Sequence, residues 1–162
     1  VNCNVKSQVY QAEWIYADLL ASPTDSIEYL GSTIARPTEI RFSELAHAQL
    51  YIDRLLSLPE VVDWYGQREL RVVVGRKTLS RRAYQRGTWI VLPQQESGAW
   101  AWRESVLLHE AAHGLNVFDG HGASWAGCFV HLTEAAMGET AAWMLSTLFD
   151  QHGITIERRV AA

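Results

Sequence analysis

Two cysteines, Cys3 and Cys128, are all that this 162-residue chain offers for disulfide or thiolate chemistry. They stand far apart and neither belongs to a CxxC pair, which argues against a disulfide framework and against a cysteine-based zinc ribbon. Long apolar runs are missing too. Nothing approaches the roughly 18 residues of a membrane span. Residues 1–10 mix Asn, Lys, Ser and Gln where a secretory signal would carry an apolar core, and Cys3 has no hydrophobic stretch before it. The expectation is a reducing, cytoplasmic setting with no membrane partner. A global excess of basic charge is also lacking, since the net charge is −4, so the whole chain does not read as a nucleic-acid binder. No internal repeat, low-complexity stretch or long linker interrupts the sequence, and nothing in it sets an oligomeric state.

What is present is ordinary globular material, 48% apolar and 20% charged, at a length that fits one domain over residues 1–162. Seven tryptophans are many for this length; most read as core packing, with one or two left to line a groove. Val9, Ala12, Ile15, Tyr16, Leu19 and Leu20 have a loosely helical spacing that Pro23 stops. Residues 26–35 are short and mixed, a strand or an extended loop. Ser43 is a plausible cap for a second helix with the stripe Leu45, Ala48, Ile52, Leu55 and Leu56, which Pro59 ends. The character changes at Leu70. Residues 70–74 and 88–92 are β-branched and short, and read as two strands of one small sheet. Helix returns over about 100–115, 123–137 and 139–151. A helical part at about 1–60, then a sheet and further helices at about 70–162, predicts an α+β domain.

The helix at about 100–115 carries the chemistry: His109-Glu110-Ala111-Ala112-His113. Residues four apart on a helix stand one above the other, roughly 5–6 Å between Cβ atoms, so two imidazoles can aim at one ion. Glu110 lies about 100° round the helix from His109, beside such an ion rather than on it, where it can accept a proton from activated water. Leu108, Ala112 and Leu115 cluster away from the histidines and anchor the helix. A catalytic zinc needs a third protein ligand and an open position. Asn116 tolerates the left-handed conformation that ends a helix, Asp119-Gly120 is a turn signal, and the chain can reverse to bring back His121, with Gly122 allowing close backbone approach. Asp119 is the rival third ligand, six residues after His113. Neutral imidazole matches the other two ligands and favours His121, leaving Asp119 to orient a histidine from behind.

HEAAH followed by His121-Gly122-Ala123-Ser124-Trp125 resembles the SprT-like and WLM group of minimal zincin metallopeptidases, whose pattern is HExxH, a short loop, then HGxx and an aromatic residue. It looks closer still to a small bacterial and phage family of metallohydrolases of about this length. The resemblance covers roughly residue 70 to the C-terminus, including Met137-Gly138-Glu139-Thr140-Ala141-Ala142. It implies a zincin-like fold, with a small mixed or antiparallel sheet packed on helices. It also implies one Zn2+ per chain on His109, His113 and His121, Glu110 as catalytic base, an intracellular site, and residues 88–92 as the strand walling the cleft. Peptide or protein is the implied substrate. The C-terminal zinc ribbon of many SprT-like proteins is missing, so a DNA-repair role does not carry over.

Other candidates have plainer readings beside them. His131 could close the fourth position of a purely structural zinc, but reads better as the flank of an amphipathic helix. His47 and His152 lie in polar surroundings. Tyr84 and Arg86, just before the expected cleft strand, could stabilise negative charge in the transition state. The basic segment 76–86 (Arg76, Lys77, Arg81, Arg82, Arg86) could touch nucleic acid, yet a solvated basic loop explains it as well, and no stacking platform accompanies it. The expected function is a zinc-dependent hydrolase cleaving amide bonds with zinc-activated water and a glutamate base. The rival is a non-catalytic zincin-shaped module that binds nucleic acid or a partner protein.

Overall fold

The computed structural model describes residues 3–76 and 82–157; Lys77 and Arg81 of the basic segment lie outside them. The first apolar stripe forms helix α1 (Cys3–Leu20), which begins earlier than its spacing predicts and buries Val9, Ala12, Tyr16 and Leu20 against α7 (Glu139–Gln151). The Tyr16 hydroxyl donates to the Ala141 carbonyl across that contact at 3.3 Å. The mixed stretch after α1 is a hairpin, β1 (Ser26–Tyr29) paired antiparallel with β2 (Ser32–Ala35). Its two-residue turn puts Leu30 at φ 48° and Gly31 at φ 77°, both left-handed, as the twist of a tight hairpin demands.

Helix α2 (Leu45–Ser57) buries Ala48, Ile52, Leu55 and Leu56, while Leu45 stays exposed. Its cap position is Glu44 rather than Ser43, and no side chain closes it. Pro59 does end α2, but as the first residue of a further short helix, α3 (Pro59–Tyr65), where a missing N–H costs nothing.

Strands β3 (Arg71–Val74), β4 (Tyr84–Arg86) and β5 (Trp89–Leu92) form a sheet in the order β3-β5-β4. β3 runs parallel to β5 and β4 antiparallel to it. The expected cleft strand, 88–92, is therefore the central strand with both edges paired. The edges are β3 and β4, and the basic composition around β4 disguised that strand as loop. A short helix α4 (Gln95–Gly98) and a single 3-10 turn (Ala99–Ala101) lead to α5 (Glu104–Leu115), which starts later than expected. Helices α6 (Ala123–Met137) and α7 follow with Gly138 between them at φ 90°.

One hydrophobic cluster runs from Val9 in α1 to Ile154 beyond α7, with Trp125, Phe129 and Phe149 among its largest buried side chains. The architecture is α+β: a small mixed sheet and a hairpin set against helices. Among the described residues no helix is long and apolar enough to cross a membrane. The tryptophans depart from expectation. Trp102 and Trp125 are core, but Trp14, Trp89, Trp100 and Trp143 are exposed.

Candidate metal centre

Helix α5 is held firmly at its start. The Arg103 guanidinium donates through Nε to both oxygens of Glu39, at 2.9 and 3.0 Å, and the same carboxylate accepts the Ser105 N–H at 3.1 Å. Glu104 accepts the Ile40 N–H at 2.8 Å and the Tyr51 hydroxyl at 2.7 Å. Two carboxylates thus sit at the positive end of the helix, where the peptide dipoles favour them. Burial nonetheless pushes the Glu104 carboxyl up. Leu107, Leu108, Ala111, Ala112 and Leu115 are buried and fix the rotation of α5, so the opposite side of the same turns carries His109, Glu110 and His113.

The three histidines converge. Nε2 of His113 lies 3.2 Å from Nε2 of His109, and Nε2 of His121 lies 3.3 Å from each of them. One proton on one nitrogen can satisfy only one such contact at a time. A tetrahedral zinc with bonds of about 2.0–2.1 Å separates its ligand nitrogens by roughly 3.3–3.4 Å (twice the bond length times the sine of half the tetrahedral angle). The nitrogens stand at spacings close to those. Trp125 forms the floor, its ring centroid 4.8, 5.1 and 4.6 Å from the rings of His109, His113 and His121.

His121 reaches the site through the turn after α5. Asn116 does not adopt the left-handed conformation expected there; its φ of −128° is extended, and the helix closes by the Asn116 N–H donating to Ala112. The reversal comes instead at Gly120, φ 62°. Asp119 points away from a ligand role. Its two oxygens accept the N–H groups of Ser124 at 2.8 Å and Trp125 at 3.1 Å, in the first turn of α6. Gly122 is small for a steric reason, since a Cβ there would lie 2.4 Å from that carboxylate.

Electrostatics separate the rings. Burial and the neighbouring His109 push His113 down to about 3 and His121 down to about 4. Both are neutral imidazoles at neutral pH, the form that binds metal. Burial also pushes His109 down, but the charge and hydrogen bond of Glu13 outweigh it, with Glu110 adding to them, and the net direction is up. Burial pushes Glu110 up, while His109 and the backbone N–H of Gln85 in β4 pull it down.

Two residues of α1 stand at this site that sequence reasoning missed. Glu13 Oε1 lies 2.6 Å from Nδ1 of His109. The Tyr10 ring stacks over His109 at 6.3 Å and meets the edge of His121 at 5.6 Å. Tyr10, Glu13, Trp14 and Ala17 recur at helical spacing along one wall of a cleft of about 340 Å³ that also holds His109 and Glu110. The spacing was there to be read, beside the buried stripe of Val9, Ala12 and Tyr16, but nothing in it names the opposite wall.

Tyr84 and Arg86 are exposed on β4 and do not line this cleft; Arg82 does. His131 is elsewhere. Its Nδ1 pairs with the Tyr65 hydroxyl at 3.1 Å in a larger groove, about 940 Å³, between α3, α6 and α7. That groove holds none of the three converging histidines, so size does not locate the chemistry. Among the described residues, His109, His113 and His121 are the one group of candidate ligands close enough to share an ion. Compared with known proteins, the chain matches no family model, no curated protein and no solved structure.

Proposed function

We propose that this protein is a zinc-dependent hydrolase of the zincin type, a metallopeptidase in which His109, His113 and His121 hold one Zn2+ and Glu110 is the base. The observation that carries this reading is the triangle of Nε2 atoms, 3.2–3.3 Å on each side, with Glu110 in the next position of the same helix. When bound, zinc supplies a Lewis acid that polarises a carbonyl and makes water a nucleophile near neutral pH.

The rest is the work of the chain's own groups. Glu110 opens on the cleft, buried and with its carboxyl displaced upward, which brings it nearer the pH at which a general base works best. Its carboxylate takes a proton and later gives it to the leaving amine. The Gln85 N–H beside it favours the ionised form. Tyr10 takes the part expected of Tyr84 or Arg86. Burial, with Glu13 and Glu110, holds its hydroxyl protonated, and it lines the same cleft as a donor for the substrate oxygen. Exposed Trp14 and Trp100 flank the opening and offer apolar surface to a peptide side chain.

The decisive variant is Glu110→Gln, nearly isosteric in a buried position. It is expected to retain about one zinc per chain, measured by metal analysis. Turnover of casein or a fluorogenic peptide library should disappear. Full turnover by this variant would remove Glu110 from the mechanism.

A further inference from the structure

The proposed centre has a third contributor, from the far end of the sequence. His109 presents Nε2 to His113 and His121 and has its other nitrogen, Nδ1, 2.6 Å from Glu13. An imidazole has one donor and one acceptor when neutral, and a carboxylate can only accept. Glu13 therefore places the His109 proton on Nδ1 and leaves the Nε2 lone pair facing the other two histidines. Among the described residues neither His113 nor His121 has such a partner, so one ring of the three is locked from behind.

We infer that Glu13 is the positioning residue of the metal centre: it fixes the tautomer and ring plane of His109 and strengthens Nε2 as a ligand. This rests on the metal-centre reading above. A carboxylate behind a ligating histidine raises the basicity of the ring, and loss of such a partner typically weakens metal affinity by roughly 10–100-fold. The placement is built into the fold. The buried stripe of Val9, Ala12, Tyr16 and Leu20 docks α1 on α7, and that docking turns Glu13 onto α5, where its side chain is only 20% exposed.

The alternative is a structural pin between α1 and α5 with no influence on a metal. Zinc titration against a chromophoric chelator separates the two, applied to the full chain and to its Glu13→Ala, Glu13→Gln, Val9→Ala and His113→Ala variants. Cobalt(II) absorption is recorded alongside. Glu13→Ala is expected to bind zinc roughly 10–100-fold more weakly and to shift the cobalt ligand-field bands. Glu13→Gln, which still accepts the Nδ1 proton but has lost the charge, should fall between. Val9→Ala thins the buried face of α1 without touching His109; it should melt earlier and bind zinc as wild type does. Equal zinc affinity and unchanged cobalt bands in Glu13→Ala overturn the inference. If wild type and His113→Ala both fail to bind zinc, the metal-centre reading itself is overturned, and that result looks different from either.

Discussion

Asp119 is the residue at which chemistry and architecture compete. As a carboxylate six residues after His113 it has the makings of a ligand, yet both of its oxygens are spent on the first turn of α6. Its work is that of a helix cap placed before the cap position, and the helix it caps begins two residues after His121. Replacing it with alanine is expected to cost about 0.5–2 kcal/mol, the range for losing a helix N-cap, as a lower melting temperature. Bound zinc should stay at the wild-type stoichiometry. Loss of the metal with the fold intact would return Asp119 to the list of ligands. His109, Glu110 and His113 were legible in the sequence because their relation lies within one helical turn, where spacing alone sets geometry. Glu13 was not. Its partner is 96 residues away, and only the docking of α1 decides which face it meets.

Among the elements, α5 depends on anchors outside itself. Its start is gripped by Glu39 and by Glu104 reaching back to Ile40 and Tyr51, contacts that no local pattern announces. Glu39→Ala strips the buried Arg103 of its carboxylate and the Ser105 N–H of its acceptor. Breaking a buried pair from one side costs about 3–5 kcal/mol, so this variant should melt well below wild type in a calorimeter; an unchanged transition would show that α5 is fixed by its apolar face alone. Helices with strong stripes, such as α2, were legible from their periodicity. β4 was not, since three residues on a sheet edge, two of them exposed, carry too little alternation to be seen. α3 was hidden by Pro59, which sequence reading takes as a stop when it also suits a first helical position. The exposed tryptophans misled in the same way: an indole is apolar enough to predict burial, and only tertiary structure shows which ones border a cleft.

Taken whole, the molecule holds its candidate metal centre between three helices, α1, α5 and α6, with Trp125 beneath and the shared hydrophobic cluster behind. A ligand that binds only the folded state stabilises it, by about 2.7 kcal/mol when present at 100 times its dissociation constant. Treatment with EDTA is therefore expected to lower the thermal midpoint, and added zinc to restore it in proportion to the logarithm of its concentration. A midpoint indifferent to both would mean that the three histidines hold no metal in the native state. The α1–α7 contact has a consequence for biosynthesis. Chains emerge from the ribosome N-terminus first, so α1 is made before the converging histidines, while α7, the surface on which it docks, comes after them. The docking of α1 on α7, which sets Glu13 behind His109, is therefore a contact between an early and a late part of the described chain. A nascent chain thus carries all three histidines for some time before it carries α7, the surface that holds α1 and its Glu13 in place.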